Sequence, residues 1–401
     1  MEKGITFIVT KDCQLACKYC YLVGKNSQER MPWEIAKLAI DYILSNEKDF
    51  PEQSVAWDFI GGEPFLEIGL IDKICDYIKT EMFRLNHHWF NSFRFHFSTN
   101  GINYDTQKVQ DFIKKNRQHL SIGITIDGTR EKHDLNRIWK TKDGFSPKPK
   151  DEKGSYDDVV RNIPLWREQF PFDGTKVTIS SADIKYIKDS VLHLYSLGIH
   201  EVNINVVFED VWKEGDDKRF EEQLIQLADA IIDGEYYTDY TCSFFSEHLG
   251  KPMDKRLQNN NWCGAGRMLA VDAAGNFYPC TRFAQYSLRD KKAWIIGNVN
   301  DGIDKNKLRP FLTLDRCTQS NQECIDCEVA EGCAWCQGEN YDAAETPTAF
   351  QRSTAICKMH KARVRANNYY WNKLYRKLEL QGIAREEAEK HVKKSNYQEP
   401  C

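Results

Sequence analysis

Three thiols, Cys13, Cys17 and Cys20, stand in a C-x3-C-x2-C spacing within KDCQLACKYCY, residues 11–21. Thiolates this close can converge on one soft metal centre, and iron–sulfur clusters are held by such runs. A [4Fe–4S] cube takes four ligands and this loop supplies three, which leaves one iron to bind something that is not protein. Zinc is the rival occupant, but it usually takes C-x2-C pairs with a second pair nearby. The loop follows directly on ITFIVT, residues 5–10, an apolar β-branched run that predicts a short buried strand. Loops leaving the carboxyl ends of such strands carry the chemistry of α/β folds.

A second field of thiols opens at Cys263. Gly275-Asn276-Phe277-Tyr278-Pro279-Cys280 reads as a hairpin, since Gly275-Asn276 suits a tight turn. Cys317, Cys324, Cys327, Cys333, Cys336 and Cys357 follow, with a C-x2-C-x5-C-x2-C core and a distant fifth cysteine. Structural zinc is the rival reading of these pairs too. Cys75, within an apolar helical pattern, and Cys242, alone in its stretch, read as buried thiols; Cys401 at the terminus is assigned no role.

The elements that must position these thiols alternate. Strands are predicted at 5–10, 55–60, 94–99, 121–126, 176–181 and 201–208, and helices at 33–45, 69–85, 106–117, 155–169, 187–197 and 219–232. Strand-then-helix repeats of this kind imply parallel strands with right-handed crossovers, and a partial (β/α)6 barrel is the natural closure. The strand ends carry further candidates. Gly61-Gly62-Glu63-Pro64 offers a backbone that can approach a ligand closely and a carboxylate that complements an ammonium. Residues 1–232 are expected to form the barrel, 233–261 a bridge, 262–360 a small Cys-rich domain and 361–401 a helical tail whose Tyr-Tyr-Trp cluster packs on the barrel.

Composition narrows the function. The 401 residues suit two or three domains or one large barrel with an appendage, and 41% apolar residues are enough for a core. A formal charge of −4 gives no electrostatic ground for nucleic acid or an anionic membrane. No apolar run approaches the roughly 18 residues that span a bilayer, and MEKGITF runs straight into the first strand without room for a signal peptide. Fourteen cysteines without a secretory signal point to metal binding in a reducing, cytoplasmic setting.

The C-x3-C-x2-C loop, with aromatic Tyr19 before its third cysteine, resembles the radical S-adenosylmethionine (radical SAM) superfamily. In that family the open iron chelates SAM, whose reductive cleavage yields a 5′-deoxyadenosyl radical that abstracts hydrogen from the substrate. The resemblance implies the partial barrel and makes Gly61, Gly62, Glu63 and Pro64 the GGEP element that meets the SAM amino group. It implies ribose contacts at Ser98, Thr99 and Asn100, places Asp127 at the fourth strand end, and sets Arg137 of HDLNR near SAM and Asn205 on the adenine side. The later thiols resemble the SPASM extension, which carries two auxiliary clusters, so three [4Fe–4S] clusters are expected. Cys324, Cys327, Cys333 and Cys357 would hold the outer one, and Cys263, Cys280 and Cys336 the inner one.

Two departures from that pattern stand out. Cys333 and Cys336 are two residues apart where the family usually has three, and no cysteine follows Cys263 within WCGAGRM. The inner cluster therefore has an open iron or takes Cys317 as its fourth ligand, favoured because CTQSNQEC reads as a flexible polar loop. GCAWCQGENYD resembles maturases of ribosomal peptides with Cys-x-x-x repeats, which join a cysteine sulfur to carbon. Carbon–carbon cyclophane crosslinking is an alternative. Sulfatase maturation is another, although that group has an aspartate after the G-x4-C cysteine where Thr281-Arg282 follows here. A non-catalytic iron–sulfur electron carrier would need neither GGEP nor an open cluster. The implied partners are a ribosomal precursor peptide and an external electron donor of flavodoxin or ferredoxin type. With only twelve residues before Cys13, peptide recognition falls to a separate protein or to the barrel itself.

Overall fold

The computed structural model describes residues 2–23, 28–142, 148, 151–254, 256, 259–260 and 263–394. Cys401, Trp262 and residues 143–147 and 149–150 lie outside them. Strand β1 (Glu2–Thr10) is followed by α1 (Trp33–Ser45), β2 (Ser54–Gly61), α2 (Ile68–Arg84), β3 (Phe93–Thr99), α3 (Gln107–Asn116) and β4 (Leu120–Ile124). Next come α4 (Arg130–Asn136), α5 (Tyr156–Val160), α6 (Ile163–Gln169), β5 (Thr175–Ile179), α7 (Ile187–Ser196), β6 (Glu201–Val206) and α8 (Asp216–Asp233). Apolar side chains alternate along each strand, with Phe7, Phe59, Phe97, Ile122, Val177 and Ile204 all in the core cluster. The opposite, concave face is left to polar groups. The helix expected over 155–169 is two helices, because Pro164 opens α6 and Asn162 turns its side chain to the Gly101 carbonyl (2.8 Å).

The six parallel strands do not form one ladder. Strands β1 to β4 pair in sequence, β5 pairs β6, and the seam between β4 and β5 is closed by side chains. The Thr175 hydroxyl accepts from the Ile126 amide (3.2 Å) and donates to the Ile124 carbonyl (2.7 Å), and Asp173 accepts from the Ile122 amide (2.7 Å). The bridge supplies an unforeseen strand, β7 (Thr241–Cys242), parallel to β6.

The Cys-rich region extends the barrel sheet. Strand β8 (Leu269–Val271) lies parallel to β1 on the side away from β2, and β9 (Asn276–Tyr278), β10 (Gly297–Asn298) and β11 (Gly302–Ile303) continue antiparallel. Gly275, at φ +80°, makes the tight turn expected between β8 and β9. Short helices α9 (Lys305–Thr313), α10 (Arg316–Gln319), α11 (Gln322–Ile325) and α12 (Gln337–Ala343) carry the remaining thiols toward α13 (Cys357–Leu380) and α14 (Arg385–Ala388). Helix α13 packs its aromatic cluster against the barrel: Tyr370 stacks on Phe245 at 4.4 Å between ring centroids, and the Tyr369 hydroxyl donates to Asp229 of α8 (2.7 Å). Cys75 and Cys242 are buried.

Candidate functional site

The first cysteine loop crosses the carboxyl ends of the strands and is pinned from both sides. The Ala16 and Lys18 amides donate to the carbonyls of Ile138 (2.8 Å) and Asn136 (3.0 Å). The Gly62 and Glu63 amides donate to the carbonyls of Thr10 (3.1 Å) and Asp12 (2.9 Å). A side chain at Gly61 would overlap the Thr10 carbonyl, and one at Gly62 would overlap the Asp12 carbonyl and stand 2.7 Å from the Cys13 Cβ. The glycines therefore let two stretches of main chain meet, and what they approach is the cysteine loop itself.

Glu63 is also more committed than its motif suggests. It is buried, its Oε1 accepts from the Phe65 amide (3.0 Å) and the Thr99 hydroxyl (2.7 Å), and its Oε2 accepts from the Asn100 amide (2.7 Å). Burial pushes its carboxyl above the ordinary range, against these bonds and the nearby Arg137 charge. Two carboxylate oxygens offer about four acceptor positions, so Oε2 keeps one for a ligand. Asn100 turns its amide toward Gln14 (3.0 Å) and the Cys13 sulfur (4.0 Å).

Tyr19, Asp127 and Arg137 come together as one cluster. The Tyr19 hydroxyl donates to Asp127 (2.6 Å) and accepts from Arg137 (3.0 Å), which ties the cysteine loop to the ends of β4 and α4. Asp127 is fully buried with Lys132 3.8 Å away. Burial, and then the charges of Arg137 and Lys132, hold the neighbouring His133 well below its usual range, so it stays neutral. The Arg137 Nε is buried without a partner, and the Cys17 sulfur adds to the charge around this guanidinium. Ser98 of β3 and Asn205 of β6 lie on the strand faces opposite the core residues Phe97 and Ile204.

The second field sorts into two groups. After burial, the charges that bear most on Cys280 are those of Cys263 and Cys336. Burial raises Cys324 and Cys333; the Arg352 charge opposes it most, and the charges of Cys357 and Cys327 are among those that add to it. Cationic side chains flank both groups, which suits clusters held by anionic thiolates. Arg352 donates to the Cys333 sulfur (3.0 Å) and lies over the Trp335 ring. Buried Arg316 donates to the Cys324 carbonyl. At the inner trio, Arg282 pairs with Glu209 (2.8 Å) and Glu339 (3.2 Å) and lies over Tyr21, next to Cys20, at 4.5 Å. Arg282 thus joins the first loop to the inner trio. No motif reading singled out these arginines; a cation within a few residues of a ligating cysteine was the available signal.

Cys317 is half-buried on α10. CTQSNQEC is not a flexible loop: Asp315 and Thr318 form a capping box, and Asn321 caps α11. Adjacent Arg316 turns toward the outer group.

Among the described residues, Glu47, His87 and His88 alone offer three ligand atoms within 4.8 Å of one another. Those donors do not suit a metal. The Trp89 amide donates to His87 Nδ1 (3.2 Å), which leaves Nε2 carrying the proton.

Comparison with known proteins agrees with this geometry. A 4Fe-4S single cluster domain matches residues 4–143. An uncharacterized protein of Methanocaldococcus jannaschii is 27% identical over 77% of this chain and 91% of its own. A cysteine-type anaerobic sulfatase-maturating enzyme of Clostridium novyi is 30% identical over 39% of this chain and 38% of its own. Among solved structures, anSMEcpe with bound AdoMet and the Kp18Cys peptide superposes with a TM-score of 0.63 at 17% identity, covering 93% of this chain and 100% of that one. In fold, first loop and matched domain the chain is similar to radical SAM enzymes. Its fold is like that of anSMEcpe, a protein solved with AdoMet bound. No helix among the described residues is long and apolar enough to cross a membrane.

Proposed function

We propose that this enzyme is a peptide maturase that joins a cysteine sulfur to a carbon of the same ribosomally made peptide. The observation that carries the reading is the inner group of three thiols, Cys263, Cys280 and Cys336, tied through Arg282 and Tyr21 to the SAM-binding loop. Bound at Cys13, Cys17 and Cys20, the cluster and SAM supply a hydrogen-abstracting radical, and an inner cluster supplies an electron acceptor with a free coordination position. Glu63 and Arg137 hold the amino-acid end of SAM, Ser98 and Asn100 its ribose, and Asn205 its adenine side. In the overall change one C–H and one S–H bond are lost and one C–S bond forms, so the peptide gives up two hydrogens. Cys324, Cys327, Cys333 and Cys357 would hold an outer cluster, which would supply a redox centre for exchange with a flavodoxin- or ferredoxin-type donor. Residues 1–232 act as the catalytic barrel and 262–360 as the auxiliary-cluster domain, with 233–261 between them and 361–401 bracing both.

Anaerobic co-expression with a Cys-x-x-x-repeat peptide tests this. The product should be lighter by two hydrogens per crosslink, with the cysteines no longer alkylated by iodoacetamide. A lighter product whose thiols still alkylate would instead indicate carbon–carbon crosslinking. Similarity to the sulfatase-maturating enzyme favours one second reading, oxidation of a cysteine within a sulfatase-type peptide. That outcome would give an aldehyde, detected with a hydrazide probe, and would overturn the thioether assignment.

A further inference from the structure

Strand β5 buries Thr175, Val177 and Ile179 and exposes Lys176, which shares the concave face of the barrel with Asn203 of β6, its partner in register. Among the described residues no hydrogen bond or ion pair engages the Lys176 ammonium. Its side chain is open to solvent in the lumen, where the surrounding protein and then the Arg282 charge pull it below its ordinary value. Asn203 is 7% exposed, and its Oδ1 is buried with no partner. Its Nδ2 lies so near Gly174 that a Cβ there would stand 2.8 Å away. Neighbouring glutamates do not serve Lys176: Glu209 pairs with Arg282, and Glu339 is held by Arg282 and Arg289 (2.7 Å).

A buried acceptor without a partner is costly unless something donates to it, and the lumen-facing cation beside it is open to meet an anion. The complementary ligand offers a carboxylate to the ammonium and an N–H to the amide oxygen, as an acidic residue in a peptide does. We propose that Lys176 and Asn203 form a subsite in the barrel lumen for an aspartate or glutamate of the peptide substrate. The subsite rests on the peptide-maturase reading and adds a specificity to it: an acidic residue near the cysteine to be modified. Lys176 is the second residue of β5, below the strand end. The ammonium therefore lies lower in the lumen than the groups assigned to SAM.

The test uses anaerobically reconstituted full-length enzyme saturated with SAM and two peptides capped at both ends. The peptides are identical except for an aspartate or an asparagine beside a single cysteine. Calorimetric titration of the wild type should show the aspartate peptide bound about tenfold or more tightly, the value of one charge-assisted hydrogen bond. Lys176→Met should abolish that preference without changing SAM affinity, and Lys176→Arg should restore part of it. Equal binding of the two peptides by the wild type would overturn the subsite and leave the maturase reading intact. A Lys176→Met variant that keeps the preference but loses SAM affinity would assign the ammonium to the SAM carboxylate, and would also overturn it. Binding of neither peptide would remove the peptide-maturase reading, and the subsite with it.

Discussion

Replacing Glu63 by glutamine changes one oxygen to a nitrogen in a pocket where three of about four acceptor positions are already taken. Oε1 receives the Phe65 amide and the Thr99 hydroxyl, and Oε2 receives the Asn100 amide. Whichever way the new amide turns, its NH2 faces a backbone N–H, either that of Phe65 or that of Asn100. One buried donor is left without an acceptor, which costs about 1–3 kcal/mol of stability. Because burial raises the Glu63 carboxyl, its ionisation works against the fold, and that contribution to stability is lost as pH rises through the raised value. Glutamine removes this penalty and offsets part of the loss. SAM binding feels a separate effect. If the remaining Oε2 lone pair accepts from the SAM ammonium, losing it costs about 1.5–3 kcal/mol, or roughly ten- to a hundredfold in affinity. Calorimetry on the reconstituted variant, with iron content measured on the same sample, separates the two. Full iron content with unaltered SAM affinity would refute the contact and leave Glu63 only the task of joining the ends of β2 and β3.

Three further outcomes follow from contacts around the thiols. Gly62→Ala should displace the first loop, because its methyl group would overlap the Asp12 carbonyl; iron analysis should show about four fewer irons per chain. Tyr19→Phe leaves buried Asp127 and Arg137 without their shared hydroxyl and should lower stability by about 1–3 kcal/mol, read by anaerobic thermal unfolding. Arg352→Met removes a positive charge and a donor from the Cys333 sulfur, so the outer cluster should become harder to reduce in an EPR-monitored redox titration.

Much of this was legible because the relevant signals are local. The strands carry apolar runs with clear ends, and α1 and α7 lie within a residue of where their periodicity places them. The thiol groupings follow from spacing set against a known pattern. What escaped was non-local. The break between β4 and β5 depends on a threonine hydroxyl and an aspartate that take over a backbone ladder's work, and no periodicity announces that. The roles of Gly61 and Gly62 were read correctly as close approach but assigned to a ligand, since only the folded chain shows which surface comes near. Lys176 opens the strand predicted over 176–181 and carries no signal of its own there. Its meaning depends on the strand closing into a barrel, so that the polar face becomes an interior.

Reductive SAM cleavage by the chain, with and without its first three thiols, addresses the central assignment most directly. Anaerobically reconstituted protein, given dithionite and SAM, should release 5′-deoxyadenosine that chromatography can quantify, and should hold about twelve irons. Changing Cys13, Cys17 and Cys20 together to alanine should remove about four of them and abolish the release, while the auxiliary clusters keep their spectra. Continued 5′-deoxyadenosine formation by that triple variant would contradict the assignment of this loop as the catalytic centre.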